Sequence, residues 1–401
     1  MIASKLPHYS NLIVPPNWRE LRIHQLIGKM KLVVYDLDGF GYISPIIQLF
    51  YEKFEAIIRN LSKTEEFYEV HVPLIVSTEI LKKSGVFEKY ESEFLKVREI
   101  DAVISATSEE TFLSYVHSNE PVSYKQFPIR LLHFQDAFRN IDGSKGYYKS
   151  KEFYGVVFST LDTDTDSYLS SLQAFENICD RLWGMLGLSG KVQKFKGTDN
   201  KSTEYMLACR DADMEITRSM AIEKDKREKG VNAPKLTSIA MAHQFDAVIN
   251  FDIKYVDIKG NRLVPIMGSF GIGIQRVLYT LLDNLQDDRG FTLPKALKLF
   301  NVMLIPAFIK DPEVKKYCYG LYRSLTANGV SVFLDDRDYL NLQKKFELAD
   351  LFDINLSIVI SKKGLAEGKV KFRTNRDKHP LYDVTLEDAE KEIMRSHSNG
   401  V

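Results

Sequence analysis

Four short stretches carry residue types that could do chemistry: Thr107 to Glu110 (TSEE), Phe138-Arg139-Asn140, Ala242 to Phe245 (AHQF), and the run GSFGIGIQR from Gly268 to Arg276. The last sets glycines ahead of an apolar run, with an arginine near its start. If that run is a helix, its first amides and the guanidinium would suit a phosphate-bearing ligand. The plainer reading is that the glycines let a helix pack closely on a sheet. The dinucleotide and P-loop fingerprints are both absent, because there is no G-x-G-x-x-G spacing and no following Lys-Ser/Thr pair. Taken singly, none of the four stretches specifies a reaction.

The elements that must position them follow from periodicity. Ser44-Pro45 opens a long helix with Ile46, Ile47, Phe50, Phe54, Ile57 and Ile58 on one face. FYEVHVPLIV (67–76) reads as a strand, followed by a short helix ending near Ser84-Gly85. IRLLHFQDAFRN and EFYGVVFSTL flank the turn-prone IDGSKGYYKSK and predict a long antiparallel hairpin. A helix is expected from about Ser167 to Leu186, with aspartates at its start and Gly187 as its stop. The charged run Glu215 to Lys235 reads as a solvated loop or exposed helix. A hairpin over DIKYVDIKGNRLVPIM leads into a glycine-rich turn that opens the helix bearing Arg276, and DDRGFTLPKAL reads as a linker. From Leu299 strands and helices alternate, which predicts a small α/β domain with a partly parallel sheet. The expected organisation is α+β, with domains at 1–290 and 297–401.

Composition narrows the classes further. The 401 residues are 44% hydrophobic and hold 54 basic against 54 acidic side chains. That excludes extensive disorder and the strongly basic bulk of a histone-like binder, so any contact with nucleic acid must come from a local patch. Cys179, Cys209 and Cys318 are far apart and odd in number, which favours neither a disulfide framework nor a close-spaced metal site. No apolar run approaches the ~20 residues of a membrane helix, and the start lacks a signal-peptide core. A soluble, cytoplasmic protein is expected, with an organellar matrix as the alternative.

The order and context of the four stretches resemble a class II aminoacyl-tRNA synthetase, specifically the prolyl-tRNA synthetases of bacterial and mitochondrial kind. VHVPLIVSTEILKKSGVFEKYESEFLKV is similar to the motif 1 strand with its proline at Pro73. ATSEETFLSYVHSNEPVSYKQFPIRLLHFQDAFRN resembles the T-x-E loop and the motif 2 strand, and GSFGIGIQRVL the motif 3 helix. GVSVFLDDRD and ISKKGLAEGKV resemble the family's anticodon-binding domain. The spacing from Phe153 to Gly268 leaves no room for the editing insertion of many bacterial members. The resemblance implies an antiparallel-sheet catalytic domain followed by a small α/β anticodon-binding domain. It implies ATP and magnesium, activation of proline, transfer to tRNA, and a homodimer burying Val72 and Leu74 beside Pro73. On this mapping Arg139 binds the α-phosphate and carboxylate, and Arg276 holds the γ-phosphate. Thr107 and Glu109 receive the amino group, His243 lines the amino-acid pocket, and Ser269 stands where bacterial relatives carry cysteine.

Departures accompany the matches. Ile141 occupies the place of a glutamate that accepts from the adenine amino group, a loss of about 1 to 3 kcal/mol in discrimination. Val156 and Val157 replace a Lys-Asp pair, Val86 an arginine, and Leu340-Asn341-Leu342 an Arg-Pro-Gly, while Lys371 stands where a glutamate is expected. Three functions therefore stay open: a compact proline-tRNA ligase, an inactive paralogue serving as a binding, accessory or regulatory module, and an amino-acid ligase with another acceptor. Between Lys362 and Lys378 seven basic side chains face only Glu367 and Asp377. Lys369, Lys371 and Arg373 are the expected RNA contacts, with a solvated charged surface as the alternative.

Overall fold

The computed structural model describes residues 1–118, 123–197, 201–212, 235–374 and 381–400. They form two compact units. One comprises Tyr35–Tyr42 and Tyr51–Asn284, the other Met1–Val34, Ile43–Phe50 and Leu285–Val401. Nearly all of the charged run 215–235 lies outside the described residues, as do Arg376 and Lys378.

The long amphipathic helix forms as the sequence predicts: α1 spans Pro45–Thr64, and the Ile47 amide donates to Ser44 Oγ at 3.4 Å ahead of it. Its six expected apolar residues are all buried. The strand expected over 67–76 is cut short. Only β1 (Tyr68–Glu69) joins the main sheet, and Ile75–Ser77 pairs instead with Ala102–Ile104 in a separate three-stranded sheet. Pro73 explains the break, having no N–H to give a ladder. Helix α2 (Thr78–Ser84) follows and stops at Gly85, whose φ of +74° suits a residue without Cβ.

Next come α3 (Glu109–Ser118), β2 (Ile129–Phe138), β3 (Glu152–Asp162) and α4 (Thr165–Met185). β2 and β3 make the predicted hairpin, in register from Ile129 opposite Leu161 to Phe138 opposite Glu152. Asp164 caps α4 by accepting from the Ser167 amide at 2.9 Å, and Phe175 of α4 meets Phe158 and Phe270 of the sheet at 5.2 and 5.0 Å between ring centroids.

β4 (Gln193–Lys196), β5 (Ser202–Ala208), β6 (Leu236–Gln244) and β7 (Ile266–Ile272) complete a seven-stranded sheet of order β1-β2-β3-β7-β6-β5-β4. Only the β1–β2 pairing is parallel. Most of the glycine-rich stretch lies in β7 rather than in a turn, and α5 (Ile274–Leu285) starts just beyond it. Close approach explains Gly268, since a Cβ there would lie 2.6 Å from the Phe270 ring and 2.7 Å from Thr160 Oγ1.

The second unit contains β8 (Val302–Pro306), α6 (Pro312–Ala327), β9 (Val332–Leu334), α7 (Leu342–Leu351), β10 (Leu356–Ile360), β11 (Lys369–Thr374), β12 (Tyr382–Thr385) and α8 (Leu386–Gly400). Its sheet runs β9-β8-β10-β11-β12, with β8 parallel to both neighbours and the last two pairings antiparallel. VMLIP and LSIVI are buried at every position, as strands covered on both faces require.

The first 34 residues belong to this unit, whereas the sequence reading grouped them with residues 35–290. Ile2 bridges Leu334, the Ser4 amide donates to Asp336 Oδ1 at 2.8 Å, and Arg337 Nη1 donates to the Leu12 carbonyl at 2.6 Å. The expected linker packs too. Phe291 N donates to Leu351 O at 3.1 Å and Leu293 N to Asp353 Oδ2 at 3.0 Å.

Candidate active site

The sheet of the first unit brings the scattered stretches to one place. Glu109 is the first residue of α3. Arg139 follows β2 directly and its amide donates to Lys151 O at 2.7 Å. His243 of β6 and Ser269 of β7 are partners in register, and Arg276 lies in the first turn of α5. Thr107, Glu109, Arg139, Ser269 and Arg276 line a single cavity of about 240 Å³. His243 stands beside it, with Nε2 3.8 Å from Glu109 Oε1.

One set of side chains is cationic. Arg139 donates through Nε and Nη2 to the Ala106 carbonyl at 3.3 and 3.2 Å, with its guanidinium 5.4 Å from the centre of the Phe153 ring. Arg276 donates to the Ser238 carbonyl at 3.1 Å. Among the described residues neither arginine makes an ion pair with a carboxylate. Both are exposed through the cavity mouth, yet protein surrounds Arg276 closely enough that burial foremost, and the like charge of Arg139, pull its guanidinium below the usual arginine range. Two cations lining one cavity, neither paired with a carboxylate, make a site that an anion relieves.

The other set presents acceptors. Glu109 Oε1 accepts from Ser269 Oγ at 2.8 Å and Oε2 from the Ser108 amide at 3.0 Å. Burial works against its charge, but His243, the amides at the start of α3 and Ser269 outweigh it and hold the carboxyl below the usual carboxylate range. Thr107 Oγ1 donates to Glu110 Oε2 at 2.9 Å.

Sequence reasoning missed the residues that brace the connection between β2 and β3. Gln275 Nε2 donates to Tyr147 O and Ser150 Oγ, both at 2.8 Å, and Tyr148 Oη donates to Thr237 Oγ1 at 2.9 Å. The available signal was a glutamine among the mainly apolar residues that α5 buries. An adjoining cavity of about 280 Å³ shares Arg139 and Arg276 and is also lined by Ile141, Tyr148 and Gln275. Among the described residues no group of three or more His, Cys, Asp or Glu could hold a metal.

The expected RNA contacts lie in the other unit. Lys369 and Lys371 share Asp383 at 3.7 Å each, Lys369 half-buried and Lys371 exposed. Arg373 is engaged differently, forking onto Asp350 at 2.9 and 3.0 Å with its guanidinium over the Phe346 ring.

Comparison with known proteins bears on the domains and the fold. Residues 90–285 match the tRNA synthetase class II core domain (G, H, P, S and T), and residues 301–395 the anticodon binding domain. With both matched in that order, the chain has the domain make-up of a class II aminoacyl-tRNA synthetase.

Within that class the similar proteins are proline–tRNA ligases. The one from Azorhizobium caulinodans is 24% identical over 416 positions, covering 90% of this chain and 93% of its own. That of Cereibacter sphaeroides is 26% identical over 432 positions, covering 93% and 94%. That of Caldicellulosiruptor bescii reaches 35% identity over 139 positions, which is 35% of this chain and 24% of its own. In fold the chain is similar to prolyl-tRNA synthetase from Cryptosporidium parvum complexed with halofuginone and AMPPNP. The TM-score is 0.70 at 18% identity, covering 96% of this chain and 75% of that one. The same enzyme complexed with L-proline and AMP gives 0.69 at 17%, covering 97% and 78%.

Proposed function

We propose that this chain activates proline with ATP and transfers it to tRNA. The observation that carries this reading is that two arginines without carboxylate partners line the same cavity as Glu109, Thr107 and Ser269. The amino-acid carboxylate attacks the α-phosphorus of ATP in line, the P–O bond to pyrophosphate breaks, and the acyl group then passes to a tRNA 3'-terminal hydroxyl. The protein contributes position and charge. Arg139 steadies the α-phosphate and the attacking carboxylate, and Arg276 the distal phosphates. Glu109 and Thr107 accept the N–H bonds of the cationic amino group, and Ser269 holds Glu109 in place. His243 keeps Glu109 ionised from the edge of the pocket. Magnesium, where it takes part, would arrive with the phosphates of ATP.

Pyrophosphate exchange with proline and ATP, followed by tRNA charging, tests the reading. Exchange and charging are both expected. Exchange without charging would assign another acceptor, and no exchange with any amino acid would make the chain a binding or regulatory module, the outcome that Ile141 in the adjoining cavity favours. The reading places the protein with the tRNA pool of the cytoplasm or an organellar matrix. Among the described residues no helix is long and apolar enough to cross a membrane.

The reading also makes the enzyme a homodimer. Tyr68, Leu74 and Ile75 are 68%, 46% and 48% exposed around Pro73, apolar area that a second copy would cover. Sedimentation as a monomer at micromolar concentration would reject the dimer.

A further inference from the structure

Glu110 is 1% exposed, near the start of α3 and next to the carboxylate of Glu109. Each of its oxygens meets one hydroxyl: Oε2 lies 2.9 Å from Thr107 Oγ1, and Oε1 lies 2.7 Å from Ser84 Oγ in the last turn of α2. Counting protons decides which group donates. Ser84 Oγ also lies 2.9 Å from the Leu81 carbonyl, which can only accept, so the single hydroxyl proton is taken there. The Val86 amide, 3.4 Å from the same oxygen, supplies a further donor to it. Both contacts of Ser84 Oγ are full hydrogen bonds when the proton between Ser84 and Glu110 belongs to the carboxyl group.

We infer that Glu110 is a neutral carboxylic acid and a positioning residue for the amino-acid pocket: its O–H donates to Ser84 Oγ, and its other oxygen accepts the Thr107 proton. The environment agrees, because burial foremost and the negative charge of Glu109 push its carboxyl above the ordinary range. The Thr107 hydroxyl and the Glu110 amide favour the charged form more weakly, and Ser84 would do so only if its hydroxyl were the donor. His243 faces Glu109 rather than Glu110.

The consequence reaches the cavity. With its only proton directed at Glu110, Thr107 offers the cavity nothing but lone pairs. Glu109 stays ionised beside it, so these two side chains present acceptors alone, in contrast to the arginines of the same cavity, and favour a ligand that brings N–H donors to them. Two adjacent carboxyls thus carry different protonation states and different roles. This assignment rests on the reading that the amino group binds at Thr107 and Glu109.

Two measurements separate the two claims. Glu110→Gln keeps the shape of a neutral acid, its NH₂ donating to Ser84 and its oxygen accepting from Thr107. KM for proline in pyrophosphate exchange should therefore stay within about threefold of wild type, while Glu110→Ala should raise it about tenfold or more with kcat less affected, by leaving a buried hydroxyl unpaired. If the glutamine variant is as impaired as the alanine variant, an ionised carboxylate is needed and the inference is wrong. Infrared difference spectroscopy of the ligand-free protein tests the proton directly. The stretch of a protonated carboxyl at neutral pH should be present in wild type and missing in Glu110→Gln. Its absence from wild type overturns the inference. Its presence in a protein that fails in exchange leaves the proton assignment standing and refutes only the proline reading.

Discussion

Arginine does opposite work in the two units. In the cavity Arg139 and Arg276 hold, among the described residues, backbone carbonyls and an aromatic face. In the second unit Arg337 has a fully buried side chain, forks onto Asp335 at 2.7 and 2.6 Å, and spends a further nitrogen on the carbonyls of Leu12 and Tyr9. Beside it Lys345, 2% exposed, donates to the carbonyls of Asp335 and Pro306. Asp336 takes Ser4 and Tyr319. The first pair keeps its charge for a ligand, and the second cluster uses its charges to fasten the amino-terminal segment. A guanidinium in a matched motif is therefore no guide to function until its partners are known.

Breaking each set should give opposite phenotypes. Arg139→Ala and Arg276→Ala are expected to lower pyrophosphate exchange by at least about a hundredfold, near 2.7 kcal/mol, with thermal unfolding little changed. Arg337→Ala strips the buried Asp335 carboxylate of its forked partner, leaving only the nearby Lys345 to offset its charge, and should cost about 3 kcal/mol of stability. Denaturant melts and exchange assays on all three variants check the contrast. It fails if Arg337→Ala melts like wild type, or if the cavity variants unfold first.

A smaller effect sharpens the acceptor side of the cavity. The Glu109 carboxyl is held below its ordinary range, so its charge persists as pH falls past the usual carboxylate value, and cation binding is lost only on passing the lowered one. Glu110, shifted the other way, contributes to stability at acid pH and loses that contribution as pH rises from the ordinary carboxylate range through its raised value. Glu109→Gln should raise KM for proline by about 1.5 to 3 kcal/mol at neutral pH and remove the acid limb of kcat/KM. An unchanged acid limb would assign it to another group.

How much of this the sequence exposed depended on whether a signal was local. The α1 helix, the β2–β3 hairpin and the β/α alternation after Leu299 rest on periodicities that tertiary contacts reinforced. The placement of residues 1–34 was hidden because Ile2, Ala3, Leu12 and Trp18 follow no helical or strand period, and their burial depends on partners more than 250 positions away. Gly268 and Gly271 read as a turn because glycine is scarce in strands. Only the nearness of Phe270 and Thr160 shows why Gly268 is tolerated inside one. Of the site, the resemblance pointed to both cavity arginines and to the Thr107 and Glu109 acceptors. The bracing by Gln275 and the proton on Glu110 involve contacts between elements, and no spacing rule encodes those.

The basic edge of the second unit is where the comparison of free and committed cations yields its smallest and most specific prediction. On β11, Lys369, Lys371 and Arg373 alternate with buried Val370 and Phe372 and so share one face, which is why sequence grouped them. Their partners differ. Arg373 is held by Asp350, whereas the two lysines, one half-buried and one exposed, share a single carboxylate, leaving one net positive charge for a phosphate. Lys371→Glu should therefore weaken tRNA binding and reduce the slope of log affinity against log salt by about 1. Asp383→Asn should do the reverse, strengthening binding and steepening the slope, because it frees the lysines without adding a cation. Arg373→Glu should act mainly on stability, by about 1 to 3 kcal/mol, since it sets a carboxylate against Asp350. Filter binding at several salt concentrations, run beside a denaturant melt, distinguishes these outcomes. Weaker binding in Asp383→Asn, or a salt slope that Lys371→Glu leaves untouched, would show that RNA does not use this face.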